Sequence, residues 1–249
     1  SLHDALPICV SAAIGYLAPA RVRPNLDILA DTLVYRLLFS RTRCTGVEVE
    51  DQAGLVRSIS ARLVVVCAGA LLTPSLLMRS GIGPRAALDK LSVKCVADLP
   101  GVGQNLCDHP ALGVLCDVQA PAVVDFDQPI IQTILRYTAN NSDKRNDLQI
   151  EQISFAGRPG GPAQFLLAPV LEYQFGRGEL TLASADPHAA PIVTNRFCED
   201  ARDARRLAEC MVDTLAFTRA GALAEMITHV RFPDASRGQS LEDLEVLCR

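Results

Sequence analysis

Three polar residues within five positions, Asn105, Asp108 and His109, carry side chains that could hold a ligand or move a proton. Imidazole titrates near neutrality, and a carboxylate beside it is a common partner in general acid–base work. Read as neighbours on one strand, however, Asp108 and His109 point to opposite faces, so they make a poor direct pair. They are expected to flank a cofactor or line a site singly. The second stretch with chemical content has no charged side chain. Ala68, Gly69 and Ala70 follow an apolar run, and their lack of bulk would let a ligand approach the backbone. Thr73 reads as a helix N-cap and Pro74 as the first helical residue, which would aim a helix amino terminus, favourable to anions, at that small-residue turn.

Elements must position these residues. Leu63 to Cys67 is apolar throughout and Val-rich, the pattern of a fully buried parallel strand. After Thr73 the helix carries Leu76, Leu77 and Ser80, and Gly81 supplies a left-handed stop. Upstream, Thr32 to Phe39, Gly46 to Glu50 and Leu55 to Ser60 predict a three-stranded meander, with Asp-Gln-Ala-Gly as the last turn. Downstream, a short helix (Ala86 to Leu91), a strand (Val93 to Ala97) and the turn Leu-Pro-Gly-Val-Gly are expected. Residues 111–174 are broken by Pro121, Pro129, Pro159, Pro162 and Pro169, but Phe165 to Tyr173 reads as a strand. Glu179 to Ser184 reads as another, expected in the same sheet, with Pro191 to Phe197 as a further one. Asp200 caps a helix whose Leu207, Met211 and Leu215 form one apolar stripe with Ala204 and Ala208, and Leu241 to Leu247 closes the chain as a helix. The fold class is mixed α/β: part of a doubly wound layer with a β-meander, then a sheet-and-helix layer.

Composition excludes some functions. The 249 residues are 49% hydrophobic and 21% charged, an ordinary globular balance. With 24 Lys and Arg against 28 Asp and Glu the net charge is −4, and no basic run interleaves with aromatics, so nucleic acid is not an expected partner. The longest apolar run, Leu63 to Leu72, is about half of the roughly 20 residues that cross a bilayer. Nine cysteines include no C-x-x-C pair, which reads as neither a disulfide framework nor a zinc site and suits a reducing compartment, the cytoplasm or the periphery of an inner membrane. His188 sits in an Asp-Pro-His turn and His229 after a helical pattern; both read as surface or packing residues. Gly81-Ile-Gly-Pro-Arg-Ala86 matches a loose G-x-G-x-x-A string but follows a helix, and Gly101-Val-Gly103 opens none, so neither has the context of a dinucleotide fingerprint.

Gly69-Ala-Leu-Leu-Thr-Pro-Ser-Leu-Leu-Met-Arg-Ser-Gly-Ile-Gly83 resembles the second signature of the glucose-methanol-choline (GMC) flavoprotein oxidoreductases. Asp98-Leu-Pro-Gly-Val-Gly-Gln-Asn-Leu-Cys-Asp-His-Pro110 is similar to the segment that follows it in that family. Weaker likeness runs through Gly15 to Leu26 and through Gly176 to Phe197. The resemblance implies FAD as cofactor, no metal, and hydride transfer from a small-molecule alcohol, choline among the candidates, with the electron acceptor left open. It implies that Val34 meets the adenine end of the flavin nucleotide through its backbone, and that Ala68, Gly69, Ala70, Asn105, Asp108 and His109 flank the cofactor. It divides the chain into a partial FAD-binding domain (9–110) and a substrate domain (111–249), with residues 1–8 as a non-native leader. The family's glycine-rich fingerprint and its basic His are not in these residues and are expected upstream of the chain and beyond Arg249; no catalytic residue is assigned. Two other classes stay open: a different two-dinucleotide FAD/NAD(P) oxidoreductase, and a non-catalytic remnant serving as an interaction module.

Overall fold

In a computed structural model the chain divides into two units, Ser1–Val66 and Cys67–Arg249. The structure describes residues 11–119, 129–154, 156, 161–234 and 239–249; the expected leader, His3, Cys9, Pro121 and Pro159 lie outside the described residues.

The first unit opens with a π-helical turn, Ala13–Leu17, and a short turn α1 (Ala18–Ala20). Strands β1 (Leu33–Ser40), β2 (Arg43–Glu50) and β3 (Val56–Ser60) then form an antiparallel meander in that order, as the sequence predicts. The last turn is set locally: the Asp51 carboxylate accepts from the amides of Ala53 and Leu55, each at 3.0 Å. Arg36 reaches across the β1–β2 pair to Glu48 at 2.8 Å, and Leu37 and Val49 are buried.

The second unit begins with α2 (Gly69–Arg79), β4 (Ile82–Gly83), α3 (Arg85–Lys90), β5 (Ala97–Asp98) and β6 (Gln104–Leu106). It continues through β7 (Val114–Val118), β8 (Ile131–Tyr137), β9 (Leu148–Ile153), β10 (Gln164–Leu171), β11 (Gly178–Leu182) and β12 (Pro191–Thr194) to α4 (Ala201–Phe217), α5 (Gly221–Met226), β13 (Ile227–Phe232) and α6 (Leu241–Cys248). Five strands make an antiparallel sheet in the order β13-β7-β10-β9-β8, with β8 at one edge. A separate antiparallel sheet runs β12-β11-β6, and β4 pairs with β5 in parallel.

Helix α4 covers one face of the five-stranded sheet. Asp200 caps it by accepting from the Arg202 amide at 2.9 Å, and Ala204, Leu207, Ala208, Met211 and Leu215 are buried against Val114, Leu148, Ile150, Phe165, Leu167 and Leu171. Each large aliphatic side chain buried in this way stabilises the fold by about 1.5–3 kcal/mol. Helix α6, started by a Ser240–Asp243 capping box, packs on α4 and buries Leu244.

Within that layer Arg206, 8% exposed, bridges Asp147 at 2.6 Å and Asp203 at 2.7 Å and donates to the Tyr173 carbonyl at 2.7 Å. Asp203 also accepts from the amides of Phe175 and Gly176, turning the chain between β10 and β11. Asp147 accepts from the Ala139 amide and the Ser142 hydroxyl. Burial pushes the Asp147 carboxyl up, but the hydrogen bonds from Ser142, Ala139 and Arg206 outweigh it and hold the group below its ordinary range. Cys116, Cys198 and Cys210 sit in the same interior, where burial pushes their thiols up to about 11.

The mixed α/β class holds, but several elements differ from their prediction. Leu63 to Cys67 is not a buried parallel strand: it is irregular and unladdered, with Leu63 80% and Val65 74% exposed. A strand needs neighbours to pair its amides and carbonyls, and no described strand lies beside this one; among the described strands the single parallel ladder is β4 with β5. Helix α2 starts at Gly69, ahead of Thr73, whose hydroxyl accepts the Ala68 amide at 3.2 Å from inside the first turns. Gly81, at φ 85°, ends it as expected. The strand predicted at Val93 to Ala97 shrinks to Ala97–Asp98. Phe165 to Tyr173 and Glu179 to Ser184 belong to two sheets rather than one, because the turn anchored on Asp203 redirects the chain between them. His229 lies on β13, not after a helix.

Candidate functional site

A cleft of about 410 Å³ opens between the first turns of α2 and the segment from Gly101 to Cys107, floored by Leu180 of β11. That volume is within the range of small-molecule and cofactor sites.

One wall is set by backbone contact. The Leu180 amide donates to the Gly103 carbonyl at 2.6 Å, and a Cβ on Gly103, which has φ 84°, would lie 2.3 Å from the Leu180 carbonyl oxygen. Only glycine lets the turn rest directly on β11. Asn105 then takes a left-handed conformation, φ 61°, which Asn tolerates better than most residues.

The other wall is the amino-terminal half of α2: Ala70, Thr73, Pro74 and Leu77. The first amides of a helix have no acceptor within it, so Gly69, Ala70 and Leu71 present donors there. Pro74 has no N–H, and the Ala70 carbonyl therefore lacks its usual helical donor. The cleft mouth thus carries backbone donors and a backbone acceptor, with the side chains of Thr73, Gln104 and Asn105 beside them. This arrangement can hold a ligand with phosphate and hydroxyl groups against an apolar floor. The one ionisable side chain lining it is Cys107, with its sulfur 3.4 Å from the Asn105 carbonyl oxygen.

Of the residues singled out from sequence, Ala70 and Asn105 line this cleft, and Ala68 and Gly69 lead into α2 beside them. Asp108 and His109 do not line it. They follow β6 in an irregular loop, so the opposite-faces argument does not apply: the Asp108 carboxylate accepts the His109 amide at 2.8 Å. The His109 ring turns instead toward Glu172, with Nδ1 at 3.6 Å from Oε1, while Arg136 holds the other carboxylate oxygen at 2.8 Å. Val34 lies on β1 of the first unit, opposite Val49. Thr73 and Pro74, read only as helix signals, line the cleft, as do Leu77, Gly103, Gln104 and Leu180. The Gly-Val-Gly turn was the available signal, and testing it only as a fingerprint hid its role as a wall.

Residues 8–111 match the family model described as GMC oxidoreductase. An uncharacterized GMC-type oxidoreductase of Rhodococcus erythropolis is 34% identical over 224 residues, spanning 84% of this chain and 43% of that protein. An oxygen-dependent choline dehydrogenase of Burkholderia pseudomallei is 33% identical over 242 residues, spanning 86% and 42%. Among solved structures, pyridoxine 4-oxidase from Mesorbium loti aligns with a TM-score of 0.83 at 25% identity, over 95% of this chain and 48% of that one. Formate oxidase of Aspergillus oryzae RIB40 shares the fold, with a TM-score of 0.80 at 18% identity over 92% and 50%. The chain belongs to the GMC oxidoreductases, and it spans less than half the length of the two curated relatives named here.

FAD is the cofactor that membership brings. The cleft fits part of it, with helix-start amides for an anionic group and a glycine-cleared wall for close approach.

Proposed function

We propose that this sequence serves a flavin-dependent oxidation of an alcohol, a CH–OH donor, and that the cleft between α2 and the Gly101–Cys107 turn holds part of the FAD. The observation that carries the reading is the pairing of the α2 amino terminus with a turn that glycine alone can lay on β11. When bound, FAD supplies the hydride acceptor. The chain's own part is binding: amides of Gly69 and Ala70 donate to an anionic or carbonyl oxygen, the Ala70 carbonyl accepts from a hydroxyl, and Asn105 offers both. Val34 is assigned to the adenine end. Asp108 and His109 flank the cofactor region through the loop that leaves the cleft. The substrate is a small alcohol, choline being one candidate because a relative is named for it, and the compartment proposed is the cytoplasm. Among the described residues no helix is long and apolar enough to cross a membrane.

The test is flavin binding by fluorescence quenching in the 249-residue chain and in its Asn105→Ala and Gly103→Val variants, with melting curves for each. Quenching that falls about tenfold in Asn105→Ala, without loss of fold, is the expected result. Equal quenching in the chain and a folded Asn105→Ala variant would remove the cleft from the cofactor site. Dye reduction by primary alcohols and choline, run on the longest protein that carries this sequence, tests the reaction; absence of alcohol-dependent reduction by a flavin-loaded sample would overturn it.

A further inference from the structure

A second cleft, of about 480 Å³, lies on the α4 side of the sheet edge, between β8 and the carboxy-terminal part of α4. Its walls are Leu135 and the ring of Tyr137 from β8, and Ala216, Phe217 and Ala220 from α4 and the residues after it. Leu135 and Phe217 are large apolar side chains left 44% and 40% exposed. One charged group, Asp213, enters this apolar surface.

The Asp213 carboxylate accepts from the Tyr137 hydroxyl at 2.7 Å, and among the described residues no cation pairs with it. Burial, with Cys210 and Asp213 adding to it, keeps the Tyr137 phenol protonated, so it acts as a donor that orients the carboxylate. Helix α4 ends at Phe217 with no basic residue in its last turn, so its terminal carbonyls add negative potential at the same place. Arg219, just beyond, is turned to Gln239. A negative group without a counter-ion, two aromatic rings and an aliphatic wall together complement a cation that carries a hydrocarbon body.

We propose that the cleft between β8 and α4 binds an organic cation of the alkylammonium class, with the ammonium on Asp213 and the hydrocarbon against Leu135, Ala216 and Phe217. The charge is recognised by a carboxylate already positioned by Tyr137, so binding requires no rearrangement of the sheet. The site is separate from the flavin cleft, and its test does not depend on flavin.

The probe is cyclohexylmethylammonium, with cyclohexylmethanol as its neutral counterpart of the same shape, titrated into the 249-residue chain and followed by amide NMR shifts. Saturable shifts confined to Asp213–Ala220 and the β8 strand are expected for the ammonium, at roughly millimolar affinity or better, and the alcohol should bind about tenfold more weakly or not at all. Asp213→Asn should weaken the ammonium about tenfold and remove the preference over the alcohol. Phe217→Ala should weaken both probes by a similar factor, which separates the hydrocarbon contact from the charge contact even if one variant is poorly folded. Absence of saturable shifts, equal affinity for ammonium and alcohol, or full affinity in a folded Asp213→Asn variant would each overturn the proposal.

Discussion

The α4 layer and the α2 cleft belong to the same unit but are built in opposite ways. Under α4, charge is buried and fully engaged: Arg206, Asp147 and Asp203 answer one another and four backbone groups, inside a core of aliphatic side chains. Around the start of α2, apolar chain is exposed. Leu63, Val65, Leu71 and Leu72 face outward, and the helix-start amides have no partner within the helix. The first region spends its polar groups on its own fold, whereas the second leaves them for something else to satisfy. Stability should therefore reside in the first and ligand response in the second.

The sharpest way to break this contrast is to remove one partner of the buried network. Arg206→Met leaves Asp147 and Asp203 facing an apolar chain in a site 0–1% exposed, and should cost about 3–5 kcal/mol by denaturant unfolding. A loss below about 1 kcal/mol would show that the network is incidental to the layer. Leu207→Ala, in the adjoining stripe, should cost about 2–5 kcal/mol, toward the upper end if the packing cannot collapse around the gap.

Acid tests the same region more gently. Asp147 is held below the ordinary carboxylate range, and Asp200, hydrogen-bonded by the Arg202 side chain and amide, is held at about 2. A depressed folded-state value means that the stabilisation is present above the unfolded value, about 3.9, and is lost as pH falls through the folded one. Unfolding free energy should thus decline from about pH 4 toward pH 2. An Asp147→Asn variant should show a shallower decline from a lower starting stability. A decline equally steep in that variant would mean that other carboxylates dominate the acid limb. Asp200→Ala, which removes the α4 cap, should cost about 1 kcal/mol at neutral pH.

What could be read from sequence follows the same division. The Asp200 cap, the 207-211-215 stripe, the meander and the Gly81 stop were legible because each depends on residues within a turn or two of itself. Leu63 to Cys67 misled for the converse reason: apolarity in every position says that a segment suits burial, but burial also needs neighbouring strands, and none of the described strands supplies them. The cleft was half legible. Ala70 and Asn105 were found through their motifs, whereas Leu180 lies on a strand far along the chain and becomes a wall only because the Gly103 turn rests on it. The engagement of His109 with Glu172 was equally out of reach, since nothing local to either residue announces the other.

The smallest expected change in stability, and the most telling for the second region, is at Gly69. Its φ of 76° lies in the left-handed region, so any side chain there is strained by about 1–2 kcal/mol. Steric conflict adds nothing, because a Cβ at this position meets no atom within 4 Å. Gly69→Val should therefore shift the melting temperature only slightly, while the isopropyl group occupies the open space in front of the helix-start amides. If that space is where FAD approaches the backbone, flavin quenching should fall well beyond what the small loss of stability explains. The unsubstituted chain should itself bind FAD weakly, because it contains no glycine-rich fingerprint with the strand-to-helix context that holds a pyrophosphate, and gel filtration after mixing should strip most of the flavin. Stoichiometric yellow protein after that step would show that the α2 amides suffice by themselves, and unchanged quenching in Gly69→Val would place the cofactor away from them.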